Sequence, residues 1–573
     1  MSAEPIVGRL SYVGIAPQTV DGVPATQPTI TIPFKDIPDF LSFEYTEINS
    51  GLGIREAMRD KILTRIMANA TTSFDLSMDT FPLFARGGFG TVTSALDTGV
   101  RSAVVNVAGT GYTSRPSLAV TGTGTGTGAR AEVYMRVLAG SVTAGSGYTN
   151  GVYPITFTGG QVPILPDGTA PQPATGTLTI TAGAFATVTI TSGGSGYIER
   201  PIASVTGAGA GTGGAIAITL AGSQVFILDR GQGYTGTPTI TPTGGGGTGL
   251  TFTVTVSTST TSRVNSYTIR QSSNLPRLTY FVDYGPLGKY RISDVIVSKM
   301  DLDLVNDGTS TISVDLMGAN VSAYNFTSAS ATEPTYFIKP QIACVLSPSV
   351  AGLTTVNTTC SITSTTGSGF LGIPVISKGA IIDVQIISKG AGFSGGDTIS
   401  FTGAGAGATA SLTVVNGSIT NVTMTNTGTT KTYGNNPYIA FAEALTFSLD
   451  NTGENIYTAG NQNLSPSFIV AKSVMGSGTV SITMRDSVLR AWNLDNQTVA
   501  MRIRADNQVP VDTTLGSQNF GFTMILNKVQ LDSKQDGGVD DIRKVSADFT
   551  MLYDSTNARS LALETYSTFN ITA

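Results

Sequence analysis

Not one histidine occurs in the sequence, which removes Ser-His-Asp triads, Cys-His pairs and histidine metal sites together. Carboxylate, lysine and tyrosine chemistry remain. The acidic strings are "MDLDLVND" and "DGGVDD", but each lies on a hairpin whose alternation or turn composition accounts for it. A phosphate loop needs GxxxxGK[ST]; the nearest string, "GPLGKY" at Gly285–Tyr290, has neither the spacing nor the hydroxyl. "GGSGYIERP" lacks the aspartate of a calcium-binding glycine repeat. Cys344 and Cys360 are too few for a disulfide framework, and two reduced thiols are expected rather than a bridge. No catalytic residue, cofactor or metal is expected, and the chain does not read as an enzyme.

Binding chemistry is equally sparse. Only 12% of the 573 residues are charged, the net charge is −5, and Lys and Arg are scattered, so the basic face of a nucleic-acid-gripping protein is missing. The start "MSAEPIVGRL" has an acidic first charge and no apolar h-region, unlike a signal peptide. No run of 18 apolar residues predicts a membrane helix.

The elements are strands. Thr, Val, Ile, Ser and Gly dominate, apolar and polar residues alternate almost throughout, and the length suggests roughly three or four domains, so the class is all-β. One motif recurs: GxGY at Gly109–Tyr112, Gly145–Tyr148, Gly194–Tyr197 and Gly231–Tyr234, with a Phe variant at Gly390–Phe393. Pro116, Pro154, Pro201 and Pro238 follow the tyrosines. Three copies continue into glycine tracts, such as "TGTGTGTGARAEVYMRV", and the second into "QVPILPDGTAPQPATG". The motif glycines suit positive φ in a tight turn, the ring can fold over its module, and the tracts read as mobile joins between strands. Each unit is too small to bury a core alone, so neighbours must stack. A lesser reading lets exposed tyrosines bind sugars or a cell surface.

Outside residues 101–262 and 351–436 the sequence is of another kind and repeats itself. An alternating strand in "ATTSFDLSMD" or "GSGTVSITMRD" ends on Asp79 or Asp486, each placed to cap a short helix, "TFPLFARG" or "SVLRAWNL". Two strands follow, then a long hairpin, "DVIVSKMDLDL…STISVDLMG" or "FTMILNKVQLDS…IRKVSADFTMLYD". "FLSFEYTE" and "ALTFSLDNT" complete each copy. These residues predict two related β-sandwich or barrel-like domains, each with one short helix.

The order strand, Asp-capped helix, "YTIRQSSNLPRLTYFVDYG", "YRISDVIVSKMDLDL…STISVDLMG" resembles tail tube proteins of tailed bacteriophages, most closely the subgroup with two tube domains fused in one chain. The resemblance covers about 300 residues and excludes the glycine-rich stretches. On it, residues 1–100 and 263–330 form tube domain 1, interrupted by a glycine-rich insertion at 101–262. Residues 331–350 and 437–573 form tube domain 2, interrupted by a second insertion at 351–436. The resemblance implies a virion protein, assembled in the host cytoplasm, whose rings stack head to tail. A trimer would make a pseudo-hexameric ring. Its partners would be itself, a tape-measure protein and DNA in the lumen without specific binding, and tail terminator and tail-tip proteins, with no membrane insertion. The stretch 45–70 reads as partly helical, and its family counterpart reaches the next ring, so Arg55, Glu56, Arg59, Asp60 and Lys61 are expected at an inter-ring contact. The insertions are expected outside the tube, as surface decoration of a long non-contractile tail that could reach the host surface. The alternative is a glycine-rich tail fibre or adhesin.

Overall fold

The computed structural model describes every residue except 1–11, 21, 33–41, 49–59, 123, 163–164, 166–168, 259, 270–274, 286–287, 329–335, 354–357, 403–406, 429–435, 458–465, 467, 484–487, 513–518, 536–543 and 569–573. Strands hold 67% of the described residues and helices 4%, so the chain is all-β.

The first half opens with β1 (Tyr12–Pro17), β2 (Ile30–Thr31), β3 (Ser42–Ile48) and β4 (Asp60–Asp75), then helix α1 (Phe81–Phe89) and β5 (Gly90–Leu96). A glycine-rich excursion follows: β6 (Val100–Thr110), β7 (Ser117–Thr121), β8 (Gly124–Thr143), β9 (Gly151–Thr158), β10 (Thr175–Thr181), β11 (Ala184–Ser192), β12 (Ile202–Val205), β13 (Ala215–Tyr234), β14 (Thr239–Thr243) and β15 (Thr248–Val256). The chain then resumes with β16 (Arg263–Ile269), β17 (Leu278–Asp283), β18 (Lys289–Val305), β19 (Thr311–Gly318) and β20 (Asn320–Ala323). The second half has β21 (Gln341–Ser347), a second excursion of β22 (Thr359–Thr363), β23 (Ser368–Ser377), β24 (Ala380–Ala391), β25 (Thr398–Thr402), β26 (Ala408–Val415) and β27 (Ser418–Thr427), and then β28 (Tyr438–Asp450), β29 (Gly453–Ile456), β30 (Phe468–Ala471) and β31 (Met475–Thr483). Helix α2 (Val488–Leu494), β32 (Val499–Pro510), β33 (Asn519–Gln535), β34 (Lys544–Met551) and β35 (Leu561–Ser567) complete it.

Outside the excursions the two halves repeat one pairing scheme. β1 pairs β17 as β21 pairs β32, and β17–β18–β19–β4 matches β32–β33–β34–β31. The short helix follows the equivalent strand each time. Long strands bend between layers: β18 gives its first part to β17 and β20 and its second to β19 and β28. Two seams join the halves, β18 with β28 and β16 with β35. The inner sheet therefore runs β4–β19–β18–β28–β31–β34–β33. An outer sheet runs β5–β16–β35–β33–β32–β21–β28. The core between them holds Phe74, Phe81, Phe84, Leu302, Phe447, Trp492 and Phe522 in one cluster, each large side chain worth ~1.5–3 kcal/mol when fully buried.

Asp79, expected as the cap of α1, is not its N-cap residue. Thr80 is the N-cap of α1 and makes no side-chain cap bond, while a proline occupies the first turn, where the fixed φ of proline suits a helix start. Asp486 lies outside the described residues. The stretch 45–70 is not helical where it is described. Residues 60–70 belong to β4, which forms a hairpin with β3 (Ser42↔Met67 to Ile48↔Asp60). "ILTRIMANATTSFD" carries β-branched residues and alternates, and strand pairing decides over the weak helical spacing.

The excursions are built from one block. In the outer part of the first, β6 pairs β15, β7 pairs β14 and β8 pairs β13. The far ends of β8 and β13 pair again, with β9–β12 and β10–β11 completing a second, nested block. The later excursion pairs β22–β25, β23–β24 and β26–β27. That is the scheme of the first block with its chain ends moved: β26 and β27, counterparts of β15 and β6, are joined by the turn Asn416-Gly417 (φ 51° and 75°), a two-residue hairpin turn with both φ positive.

Candidate assembly and channel surfaces

In every described GxGY or GxGF motif both glycines have positive φ, 58° to 66° for the first and 75° to 82° for the second. The turn carries the aromatic ring inward. Tyr112, Tyr197 and Tyr234 are buried and Tyr148 half-buried. Sequence reasoning missed what receives the rings: glycines of the tracts, supplied crosswise. Tyr112 lies on Gly247, from the tract after Tyr234, and Tyr234 lies on Gly122 and Gly126, from the tract after Tyr112. Tyr148 lies on Gly211, from the tract after Tyr197, and its hydroxyl accepts the Gly214 amide at 3.0 Å. Tyr197 takes the substitute loop, accepting the Ala174 amide at 2.8 Å. Phe393 lies on Gly367. A Cβ on any of these receiving glycines would overlap the ring. The tracts are sockets rather than mobile joins, and Gly124, Gly126 and Gly128 lie within β8. The near-invariant spacing of tract to tyrosine was the available signal. The motif tyrosines are therefore turned into their modules and not presented as exposed rings.

The inner sheet carries the other feature. Its register places outward residues in rows. One row reads Thr71, Asp315, Lys299, Asp450, Met475. The next reads Ser73, Ser313, Asp301, Ser448, Ser477, Thr550, and the third Asp75, Thr311, Asp303, Thr446, Thr479, Asp548. The alternate positions, including Phe74, Val314, Met300, Leu302, Phe447, Val480 and Phe549, fill the core. The grid of these rows thus holds hydroxyls, six aspartates, one lysine and the exposed Met475. Its members bond across strands, Thr71 to Asp315 at 2.7 Å, Ser73 to Ser313 at 3.0 Å and Thr479 to Asp548 at 2.7 Å, and along β18, Lys299 to Asp301 at 2.6 Å. The hydrogen bond to Asp301, with the carboxylates of Asp315 and Asp450 beyond it, raises the Lys299 pKa above the usual lysine range. Alternation in "SKMDLDL" and "STISVDL" gave the outward pattern, but only strand pairing brings residues 150 to 480 positions apart in sequence onto one face.

Of the five residues expected at a contact loop, Arg55, Glu56 and Arg59 lie outside the described residues. Asp60 and Lys61 stand at the start of β4, opposite Ile48 and Glu47, and Lys61 is exposed. The hairpin exposes Phe43 (49%), Tyr45 (52%) and Ile62 (49%). It lies beside the second half, where the Arg65 guanidinium sits 4.9 Å over the Tyr457 ring and 3.3 Å from Glu44.

The first excursion is rooted by polar contacts. Buried Asp97 meets Arg230, which also donates to the Val100 carbonyl at 2.8 Å. The Gln232 carboxamide accepts from the Thr98 amide at 3.1 Å and donates to Asp97 at 3.1 Å. Arg502 of β32 reaches Asp229 at 3.0 Å. Nearby, burial raises the Glu564 pKa, with the Asp229 carboxylate adding to the shift against the hydrogen bond from Tyr566. Among the described residues no group of His, Cys, Asp and Glu is placed to hold a metal ion, and no helix is long and apolar enough to cross a membrane. No protein-family model matches the chain, and no curated protein matches it either.

Proposed function

We propose that the chain is the ring-forming subunit of a phage tail tube, with the polar grid of the inner sheet as the wall of the channel. The observation that carries this reading is the grid itself: two halves with one pairing scheme, fused edge to edge, present three rows dominated by hydroxyls and carboxylates, with Lys299 the one cation among the described residues of those rows. Such a face wets the channel and offers passing phosphates few cationic contacts, and cationic contacts are the source of salt-dependent sticking. The in-chain seam between β18 and β28 is the geometry that a seam between subunits would repeat, and closing a ring in that way removes strand edges. Three copies of the two-fold repeat would then close a heterologous interface with pseudo-sixfold symmetry. The β3–β4 hairpin, with exposed Phe43, Tyr45 and Ile62, is the element suited to contact another subunit. With the motif tyrosines turned inward, an adhesin would have to bind its ligand through other residues.

Negative-stain electron microscopy of the purified chain tests the reading. Rings or stacked tubes with an open channel are expected. Monodisperse monomers at high concentration, or separate fibres, would overturn it.

A further inference from the structure

The two short helices are covered differently. α1 packs against β18 and is flanked by β5 and β16, with the Tyr267 hydroxyl of β16 donating to the Pro82 carbonyl at 3.2 Å. In the second half α2 packs against β33, the counterpart of β18, but the chain runs from Leu494 to Val499 with no strand pair between. The place of β5 and β16 is taken by β23 and β24 of the second glycine-rich excursion. Their turn, Lys378-Gly379 (φ 45° and 77°), points its neighbours at the helix. The Trp492 indole donates to the Ile376 carbonyl at 3.0 Å, Ser377 donates to Asp495, and the Lys378 amide donates to Gln497 at 3.0 Å. Val375 belongs to the main core, and Ile382 packs against it.

We propose that the β23–β24 hairpin is a strap that replaces, for α2, the strand pair that covers α1, so that the second excursion is an integral part of the fold and not removable decoration. A second anchor agrees. At the root of the excursion buried Asn436 donates to the carbonyls of Thr358 (2.7 Å) and Pro374 (2.9 Å) and accepts the Thr358 amide (3.0 Å). This fixes the strand that leads into the tip. Among the described residues nothing comparable links the tip of the nested block, where the turn Ala182-Gly183 (φ 53° and 75°) joins β10 and β11, to the helices. The inference is independent of the tube reading.

The chain has one tryptophan, and it is fully buried in this joint, so the full chain reports on the strap directly. In one variant Ile376–Ile381 is replaced by Asn-Gly; in its control the β10–β11 turn is shortened in the same way. The strap variant is expected to show a red-shifted emission and several-fold stronger acrylamide quenching of Trp492, with the control unchanged. A milder pair of substitutions, Ser377→Ala with Gln497→Ala, removes two tip bonds without apolar loss. It is expected to speed hydrogen exchange over Val488–Gln497 several-fold while α1 stays protected, and it decides the matter if the shortened hairpin does not fold. Unchanged quenching in the folded strap variant, or equal exchange at α1 and α2 in the mild variant, would overturn the proposal.

Discussion

Adding one methyl group at Gly126 should cost more than its strand position suggests, and only while Tyr234 is present. Gly126 lies within β8 without positive φ, and the three atoms nearest a Cβ there all belong to the Tyr234 ring. In an open strand, Gly→Ala is worth roughly 0.5–1 kcal/mol of added stability through reduced chain entropy. Here the ring cannot retreat easily, because Tyr234 is 4% exposed and its hydroxyl accepts the Ala129 amide at 3.2 Å. Overpacking of this kind costs about 1–3 kcal/mol. Tyr234→Ala alone should cost about 3–5 kcal/mol. In that background Gly126→Ala should become neutral or mildly stabilising, giving a coupling of about 1–3 kcal/mol between the two sites. A chain of several units does not unfold in one step, so the cycle is read by native-state hydrogen exchange over Val100–Thr110 and Thr239–Val256, and not by a global melt. Equal cost of Gly126→Ala in both backgrounds would refute the socket.

Asp97→Ala leaves the Arg230 guanidinium in a buried root without its carboxylate, and should cost about 3–5 kcal/mol of local stability, seen as faster exchange in Val100–Thr110 with the inner sheet unaffected. Burial pushes the thiols of Cys344 and Cys360 up to about 12, so at pH 8 only about one part in ten thousand is thiolate; alkylation should need denaturant, and rapid labelling of the native chain would contradict the packing. On the tube reading, Asp303→Lys puts a cation on the grid at an exposed position opposite Thr311 and Thr446. Assembled tubes should then retain DNA at low salt and release it as salt rises, with a slope increased by about 0.9 for each phosphate engaged; salt-independent behaviour would count against a channel wall there.

Much of this fold is written in local pattern. Alternation in "SFEYTE", "SKMDLDLV" and "STISVDLMG" places the outward hydroxyls and carboxylates because side chains alternate across a strand. The GxGY turn is equally legible, since two glycines at that spacing serve a backbone with positive φ. What the sequence hides is which segments meet. The tract that receives Tyr112 is closer in sequence to Tyr234, and a reading along the chain assigns each tyrosine to its own tract. In the described parts of 45–70, residues 45–48 and 60–70, strand prevails because an i, i+3, i+4 pattern in a short window cannot outweigh a hairpin partner that is visible only once β3 is placed beside β4.

The two excursions should respond oppositely to removal. At the first, the frame's own strands bring the ends together: the Asp97 amide donates to the Ser262 carbonyl at 2.9 Å and the Ser257 amide to the Gly99 carbonyl at 2.8 Å. Cutting out Val100–Val256 and joining the stumps through a short turn therefore leaves the β5–β16 pair and its cover over α1 intact. What it uncovers on the frame is polar, and on the second excursion it uncovers Leu371, which packs against Tyr134, Leu165 and Ile198. Arg502 loses Asp229, but the cut also opens that corner to water, which solvates the charges that burial had penalised. Cutting out Thr359–Thr427 has no such remedy, because Val375 leaves the main core, Trp492 loses its indole acceptor and α2 loses the strands that flank it. A cavity left by large core side chains costs about 2–5 kcal/mol for each one removed. The first deletion should thus keep Trp492 shielded and, on the tube reading, leave assembly unchanged. The second should expose the indole and destabilise the half that carries β31 to β35. Loss of Trp492 shielding in the first deletion, or its retention in the second, would show that the frame's stability is distributed between the excursions otherwise than these contacts require.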